Sequence, residues 1–265
     1  MPGTSLDAIL TATRSRVAAL KPRARDLERQ AAAAPPPRQF ARALAGSAVG
    51  VIAEVKRRSP SAGAIREDLD PARHAQAYER GGAVAVSVLT DAVHFGGSFE
   101  DLARVAQAVT VPVLCKDFIL DELQLLEARA AGASGVLLIA RALAPDRLRA
   151  LARAARDQDL GVLVEAHTEE ELERALTVEP TALGVNSRDL ATFTVDLDLA
   201  ERLLARVPAR VPAVAESGIE TRADVARMAG AGADVVLVGT SVARADDPAA
   251  AVGALVGVPR QGRNR

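Results

Sequence analysis

Short apolar runs rich in valine, leucine and isoleucine recur along the chain from residue 49 onward, each followed by a stretch with helical spacing. Continuous apolar strands alternating with amphipathic helices are typical of a parallel sheet covered by helices. Eight such units predict an α/β fold, a closed (β/α)8 TIM barrel rather than an open doubly wound sheet. The predicted strands are residues 49–55, 84–89, 111–114, 136–139, 160–164, 182–185, 211–215 and 235–238, with helices such as 121–131 and 145–157 between them.

Ahead of the first strand, the pattern predicts extra N-terminal helices. The apolar face of the first helix comprises Leu6, Ile9, Leu10, Thr13, Val17 and Leu20, and Thr4 or Ser5 can cap its start. A second helix over 23–34 ends at the three prolines 35–37, and a short third helix is expected over 38–44. We therefore predict one barrel domain over 1–265, with a helical extension over 1–47, the barrel over 48–257 and a frayed tail over 258–265.

The second half of the chain echoes the first. The pair Val111-Pro112 recurs as 211–212 and the pair Gly132-Ala133 recurs as 232–233, each 100 residues later. Units three and four therefore resemble units seven and eight, as expected for a duplicated half-barrel. In this register Lys116 corresponds to Glu216, so both side chains are predicted at the same end of the barrel.

Composition and charge narrow the range of partners. The net charge of −1 and the 2% aromatic content give no reason to expect nucleic acid or an anionic membrane as a partner. The one cysteine, Cys115, lies in an apolar run and is expected to be a small buried hydrophobe in a reducing compartment. With no signal peptide and no apolar run of membrane length, we expect a cytoplasmic protein, as a monomer or weak homodimer.

Lysine is rare here, which makes its positions informative. Of 33 basic residues, only Lys21, Lys56 and Lys116 are lysines, and the other 30 are arginines. Arginine stays charged at physiological pH, whereas an ammonium can have its pKa lowered and give up a proton. Lys56 and Lys116 end apolar runs and therefore indicate sites where a proton moves or a compact charge is needed. The alternative is chance combined with packing.

Polar residues gather where the predicted strands end. In a TIM barrel the active site lies at the carboxyl ends of the strands, and charged groups there are costly to bury unless they are paired or used. We therefore predict a cavity holding both acids and bases. The residues at these ends are Glu54, Lys56, Lys116, Glu165, Asn186, Arg188, Glu216 and Ser217.

Four loops complete the predicted site. Ser217-Gly218 follows the seventh strand and Gly239-Thr240 follows the eighth, where free backbone N–H groups suit a phosphate. The long loop 57–70 is a candidate lid, with a solvated basic loop as the alternative. Phe95, beside two glycines, hints at an apolar part of the substrate. The three histidines have no spacing typical of metal ligands, so no metal is expected.

Seven sequence strings, in order on successive strands, carry a family resemblance. They are EVKRRSPS, VSVLTD with a following F-x-G-S, LCKDFI, LVEAHT, GVNSRDL, AESGI and VLVGTS. Together they resemble indole-3-glycerol phosphate synthase, a TIM-barrel enzyme of tryptophan biosynthesis, over about residues 5 to 257. That family converts 1-(o-carboxyphenylamino)-1-deoxyribulose 5-phosphate into indole-3-glycerol phosphate, carbon dioxide and water without a cofactor.

The resemblance implies a role for each matching residue. Lys116 would protonate the ribulose carbonyl oxygen, and Lys56 would hold the substrate carboxylate and donate a proton to the leaving hydroxide. Glu165 would be the acid/base partner in dehydration, with Glu54 and Asn186 as orienting groups. The resemblance places Ser59, Ser217, Gly218, Gly239 and Thr240 at the phosphate, and Phe95, Phe118, Leu137 and Phe193 around the anthranilate ring, with Arg188 and Glu216 nearby.

Two departures and three rival functions remain open at this stage. Ala62 stands where many members carry a lysine or arginine, and Ser187 replaces a common asparagine. A phosphoribosylanthranilate isomerase would use a Cys/Asp pair, and a Schiff-base aldolase would use Lys116 as an amine. A non-catalytic protein that binds a phosphorylated metabolite would need no proton donors.

Overall fold

The computed structural model of the chain describes residues 5–189 and 192–262. Eight parallel strands form a closed barrel in which each strand pairs with the next along the chain and the last pairs with the first. This confirms the predicted (β/α)8 barrel. The barrel strands are β1 (Gly50–Val55), β2 (Ala85–Leu89), β3 (Val113–Lys116), β4 (Gly135–Ile139), β5 (Gly161–Ala166), β6 (Ala182–Asn186), β7 (Ala213–Glu216) and β8 (Val235–Val238).

Helices surround the barrel and also precede it. Side-chain caps begin many of them, as the Ser5 hydroxyl does for the first. They are α1 (Leu6–Leu20), α2 (Ala24–Ala33), α3 (Phe40–Ala43), α4 (Pro71–Arg80), α5 (Ala92–Phe95), α6 (Phe99–Ala108), α7 (Glu122–Ala130), α8 (Pro145–Asp157), α9 (Glu169–Leu176), α10 (Leu197–Leu204), α11 (Arg222–Gly230), α12 (Thr240–Arg244) and α13 (Pro248–Gly253), with short 3-10 turns at Lys21–Arg23 and Ala140–Ala142. None of these helices is long and apolar enough to cross a membrane.

Two apolar layers follow from the alternation of side chains along each strand. Outward-facing residues pack under the helices, whereas inward-facing residues form a separate core inside the barrel. The inner core includes Ile52, Leu114, Leu163 and Val214. The residue two positions later on each of these strands faces the same way, which brings four charged side chains to one end of the barrel.

The N-terminal extension packs where the pattern predicted. The buried face of α1 carries Ile9, Leu10, Thr13, Val17 and Leu20, and α2 lies against α7. From α1, Arg16 reaches Asp117, just past the end of β3, and its guanidinium lies 2.7 Å from each carboxylate oxygen. A buried ion pair therefore ties the extension to the segment that carries Lys116.

The sequence repeat at a spacing of 100 residues is matched by a repeat in the backbone structure. Strand β3 and helix α7 lie 100 residues before β7 and α11, with the same bounds in each copy. Both helices also begin with a capping box, at Asp121 and at Thr221. The two halves of the barrel therefore repeat a structural unit as well as a sequence pattern.

The structure differs from the sequence prediction in two places. Loop 57–70 contains a two-stranded hairpin, in which Arg58–Ser59 pairs with Gly63–Ala64. The tail expected to fray from residue 258 is held at its start, because the Val258 carbonyl accepts the Val49 amide and Arg260 Nε donates to the Ala48 carbonyl. Thr4, Leu190 and tail residues 263–265 lie outside the described residues.

Candidate active site

A cluster of two ammonium and three carboxyl groups lies at the carboxyl end of the barrel. Lys56 Nζ is 2.8 Å from Oε1 of Glu54, the shortest contact in the cluster. Lys116 Nζ lies 3.6 Å from Glu54 Oε2, 3.6 Å from Glu216 Oε2 and 4.0 Å from Glu165 Oε2. These longer distances are ion pairs rather than hydrogen bonds. Lys116 is therefore held by charge at the centre of three acids from three different strands.

Burial and mutual charge set the protonation states in this cluster. Burial lowers the pKa of Lys116, but Glu54, Glu216 and Glu165 outweigh it, so that pKa rises above its ordinary value. Burial also opposes ionisation of Glu54, yet the two lysines hold the pKa of this carboxyl below its usual range. Lys116 is therefore a firmly protonated ammonium. The sequence argument left open whether a proton moves at Lys116 or a compact charge is needed there, and the raised pKa fits a group that is charged before it donates a proton.

Glu216 behaves in the opposite way from Glu54. Burial, followed by the nearby charge of Glu165, raises the pKa of Glu216 to about 8. Among the described residues, neither Glu216 carboxyl oxygen has a partner at hydrogen-bond geometry. Burial and Glu165 therefore favour the protonated form of Glu216, whereas the Lys116 ammonium opposes it.

Two glycines make room for the cluster. A Cβ at Gly184, on the inward face of β6, would collide with Oε1 of Glu216. A Cβ at Gly239 would lie 2.9 Å from Nζ of Lys56 and closer still to Glu54. Gly239 was predicted as a phosphate contact, and the structure gives it this second function. The sequence analysis did not identify Gly184, because the requirement for glycine at this position comes from a side chain on the neighbouring strand.

An apolar cavity opens on one side of the lysines. It contains about 710 Å³ of space, part of it open to solvent. The rings of Phe95 and Phe118 stand 6.3 Å apart at 33°. The apolar and aromatic walls of this cavity are formed by Leu89, Phe95, Phe118, Leu137, Ile139 and Phe193. This lobe suits a flat apolar ring.

A polar lobe opens on the other side of the same lysines. Both lobes are lined by Glu54, Lys56, Lys116, Arg188 and Ser61. Ser217 has a left-handed φ of 67°, a strained conformation that clusters at functional sites. The rest of the wall includes the small and hydroxyl residues Gly218, Gly239, Thr240 and Ser241, with Ser217 lining both lobes, and it also includes Val195, Glu216, Ile219, Glu220, Leu237 and Val238. Backbone N–H groups and hydroxyls of this kind suit an anion.

The structure distributes the remaining predicted residues between these lobes. Ser59 lines the apolar lobe, whereas Ser61, which the sequence argument did not select, lines both. The Asn186 side-chain oxygen accepts the Arg188 amide at 3.0 Å, and the Arg188 guanidinium donates to the Phe193 carbonyl at 3.0 Å. These bonds hold the segment after β6 against the cavity.

Helix α5 and the hairpin in loop 57–70 are bonded together. Arg58 donates to the carbonyls of Ala92 and Val93 at 2.8 and 2.9 Å. Arg57 donates to the Gly96 carbonyl at 3.0 Å and pairs with Asp101. The candidate lid and the loop that carries Phe95 are therefore coupled.

His167 and Cys115 received no chemical role from the sequence. Cys115 is fully buried, and burial raises the pKa of its thiol, which fits the predicted small hydrophobe. His167 is also buried, with Nε2 3.4 Å from Oε1 of Glu165. Its proximity to an acid was readable from the sequence spacing, since the two residues are separated by one position. Within residues 5–189 and 192–262, no three His, Cys, Asp or Glu side chains are arranged to hold a metal ion.

Solved structures share this architecture at low sequence identity. Tryptophan synthase from M. tuberculosis in its ligand-free form superposes with a TM-score of 0.63, covering 82% of this chain and 95% of that chain at 16% identity. Thiamine phosphate pyrophosphorylase from Pyrococcus furiosus gives a TM-score of 0.60 at 18% identity, covering 78% and 93%. With its charged cluster at the carboxyl ends of the strands, the chain is a TIM-barrel enzyme.

Sequence comparison then specifies the family. Residues 6–255 match the family model for indole-3-glycerol phosphate synthase. The indole-3-glycerol phosphate synthase of Mycobacterium avium (strain 104) is 47% identical over 257 residues, 96% of this chain and 94% of that protein. That of Mycobacterium tuberculosis (strain ATCC 25618 / H37Rv) is 46% identical over 257 residues, with the same coverage. The chain belongs to the indole-3-glycerol phosphate synthase family, which confirms the resemblance seen in its motifs.

Proposed function

We propose that this chain closes the indole ring. The substrate would be 1-(o-carboxyphenylamino)-1-deoxyribulose 5-phosphate, and the products would be indole-3-glycerol phosphate, carbon dioxide and water. Membership of the family supports this reaction. The observation that carries the proposal is the arrangement of an apolar lobe and a polar lobe on opposite sides of Lys56 and Lys116.

This arrangement matches the order of groups along the substrate. The aryl ring would lie among Phe95, Phe118 and Leu137, and the phosphate would lie near Gly218 and Thr240. The ribulose carbon chain would then cross the lysines. Phosphate binding, remote from the reacting atoms, would position the carbonyl carbon against the ring.

Two lysines fit the two steps that need a proton donor. Lys116 would donate a proton to the ribulose carbonyl oxygen, making the carbonyl carbon electrophilic enough for attack by the aryl ring. Loss of carbon dioxide restores aromaticity, and Lys56, paired with Glu54, would protonate the departing hydroxide. Glu165 would accept the proton released in dehydration. Asn186 would orient substrate hydroxyls, with Arg188 and Glu216 close to the reacting chain.

The charge state of Lys116 argues against the Schiff-base alternative. An imine forms from a neutral amine, whereas three surrounding carboxyls raise the pKa of Lys116. The same charge state favours a proton donor. No cofactor or metal is part of the proposal, and the working form would be a cytoplasmic monomer or weak homodimer.

The test is turnover of the carboxyphenylamino deoxyribulose phosphate by the purified protein, followed by indole-glycerol fluorescence. A Lys116→Arg variant is assayed alongside, because arginine keeps the charge but does not release a proton at neutral pH. We expect turnover by the native chain and a loss of at least about a hundredfold in the variant.

Other results separate the proposed activity from the proposed role. Equal turnover by both proteins would keep the activity and contradict proton donation by Lys116. Binding of the substrate without turnover by the native chain would contradict the activity and favour a protein that only binds a phosphorylated metabolite.

A further inference from the structure

His167 lies behind the reacting groups, and the proposed chemistry does not use it. The side chain follows β5 and is only 3% exposed. It does not line either lobe of the cavity. Its two ring nitrogens face two different glutamates, Glu165 inside the site and Glu171 on α9. The buried imidazole therefore connects an active-site acid to a second acid outside the cavity.

The outer contact fixes the proton on one ring nitrogen. His167 Nδ1 is 3.2 Å from Oε2 of Glu171, and the His167 backbone N–H donates to the same oxygen at 2.7 Å. Arg141 Nε donates to the other oxygen of Glu171 at 2.7 Å. Although burial opposes ionisation of Glu171, its bonds from His167 and Arg141 lower its pKa to about 2. Facing an ionised carboxylate, Nδ1 must carry a hydrogen.

The inner contact then requires a second proton. Nε2 of His167 lies 3.4 Å from Oε1 of Glu165 and has no partner at hydrogen-bond geometry among the described residues. Two lone pairs would face each other if Glu165 were ionised and His167 neutral. The contact is favourable only when one proton lies between the two atoms, on the carboxyl or on the ring. Contacts of catalytic groups often shorten when substrate binds.

We propose that His167 is a positioning residue that fixes the orientation of Glu165 and shares its proton through Nε2. This inference rests on the proposed function, because Glu165 is the group that takes up the dehydration proton there. Before dehydration the shared proton lies on Nε2, so Glu165 is ionised and accepts the dehydration proton on Oε2, the oxygen that faces Lys116. Glu171 and Arg141 hold the far side of the ring.

Opposing charges surround this pair and set the direction of its pH response. On the cavity side, Lys116 faces Oε2 of Glu165 at 4.0 Å, and the charge of Glu165 in turn raises the pKa of Glu216 to about 8, after burial. On the outer side, Glu171 and Arg141 face the ring. An imidazolium at His167 favours the ionised form of Glu165. Replacing the imidazolium with a neutral side chain removes a positive charge beside Glu165, so the acid limb of the rate should move to higher pH.

The test compares His167→Gln and His167→Asn with the native enzyme across the pH range. Quenched single turnovers are measured alongside kcat and KM, so that chemistry is separated from product release. Glutamine can still donate to Glu165 but cannot ionise, whereas asparagine reaches only toward Glu171. His74→Gln, on the barrel-facing helix α4 and outside the cavity, is the matched control.

We expect the single-turnover rate of His167→Gln to fall about tenfold or more, with KM changed less than about threefold. The acid limb of its pH profile should move to higher pH by about one unit. His167→Asn should be slower than His167→Gln, because it loses the bond that orients Glu165. The His74→Gln control should match the native enzyme in both rate and pH profile.

If the histidine variants fold poorly, Glu171→Gln tests the same contact between His167 and Glu165, because this variant keeps the imidazole. Without the negative charge of Glu171, the imidazolium is less favoured, so the acid limb should move in the same direction by a smaller amount. Suppose that the native enzyme turns over and the His167 and Glu171 variants keep its rates and pH limbs. That result would overturn the inference about His167 and leave the proposed function intact. Absence of native turnover would overturn the proposed function and this inference with it.

Discussion

The two ends of the barrel interior have opposite chemistry. At the amino end of the strands, Phe40 is 2% exposed and packs against Gly135 and Gly161, the first residues of β4 and β5. At the carboxyl end, the next inward positions are charged, and Lys116 lies among three glutamates at 3.6 to 4.0 Å. The same strands supply both ends, so a shift of two residues along a strand changes a close-packed core into a charged site.

This contrast separates stability from chemistry within one sheet. Burial of the Phe40 ring favours folding through removal of apolar surface from water. Desolvation of charged groups at the other end opposes folding unless their mutual attraction offsets it. The barrel therefore tolerates an unfavourable cluster at one end because the other end is well packed. Substitutions at the two ends should consequently affect different measurements.

The largest effect is expected for Lys116→Met, which removes the proposed proton donor. We expect kcat/KM to fall about 10²- to 10⁴-fold in the fluorescence assay. Lys21→Met, which changes the lysine outside the active-site cavity, is the matched control and should keep native activity. A Lys116→Met enzyme with a kcat/KM within a factor of three of the native value would contradict the assignment of the chemistry to the carboxyl end of the barrel.

Phe40→Ala should produce the largest stability loss. Deleting a buried phenylalanine ring leaves a cavity, and we expect the free energy of unfolding to fall by about 3–5 kcal/mol. Urea unfolding at 25 °C measures this loss. The kcat of the folded variant should stay close to native, and a specific loss of kcat would show that the apolar end also controls the chemistry.

Gly161→Ala tests the packing of the same end by overfilling it. A Cβ at residue 161 would lie 2.7 Å from Cδ1 of Phe40. We expect a loss of about 1–3 kcal/mol in the free energy of unfolding, smaller than that of Phe40→Ala. In a Phe40→Leu background the loss should shrink, since the colliding ring is absent. Equal losses in both backgrounds would place the strain elsewhere.

The smallest expected effect is a pH-dependent change in stability at the charged end. Because folding raises the pKa of Glu216 to about 8, the folded state binds more protons than the unfolded state between the ordinary glutamate pKa and about pH 8. The contribution of Glu216 to stability therefore falls as pH rises through that window. Glu216→Gln should gain melting temperature relative to the native chain between pH 5 and pH 9.

Glu54→Gln provides the opposite sign for the same measurement. Folding lowers the pKa of Glu54, so its contribution is present above the ordinary glutamate pKa and lost as pH falls toward the folded value. The deficit of Glu54→Gln relative to the native chain should therefore be present at pH 7 and shrink in acid. Parallel pH curves for the two variants would show that Glu216 and Glu54 do not differ in proton affinity.

Much of the fold and the reacting groups could be predicted from the sequence. Apolar strands give a strong local signal, and the eight predicted strands correspond to the observed ones with small shifts at their ends. The 100-residue echo correctly paired Lys116 with Glu216, whose charged atoms lie 3.6 Å apart. These features were accessible because strand periodicity and internal repetition are properties of the linear chain.

Other features depend on neighbours that the linear order does not reveal. The raised pKa of Lys116 arises from acids on three other strands, so its direction could not be read from the lysine itself. The requirement for glycine at 184 comes from Glu216 across the β6–β7 pair. The bonds of Arg260 depend on the closure of the barrel, which brings residue 48 next to residue 259. In each case, distance in the fold rather than distance in sequence decides the property.

The bridge between Ala48 and Pro259 makes the barrel a nearly continuous ring. The strand cycle starts and finishes at the same point on its rim, and the Val49 amide is hydrogen-bonded to the Val258 carbonyl at 2.8 Å. Two co-expressed fragments divided between the repeated halves would therefore meet at this point as well as along their strands, with the extension 1–47 kept on the first fragment. Such a split barrel would keep every strand neighbour and would bring the assembly of the two halves under experimental control.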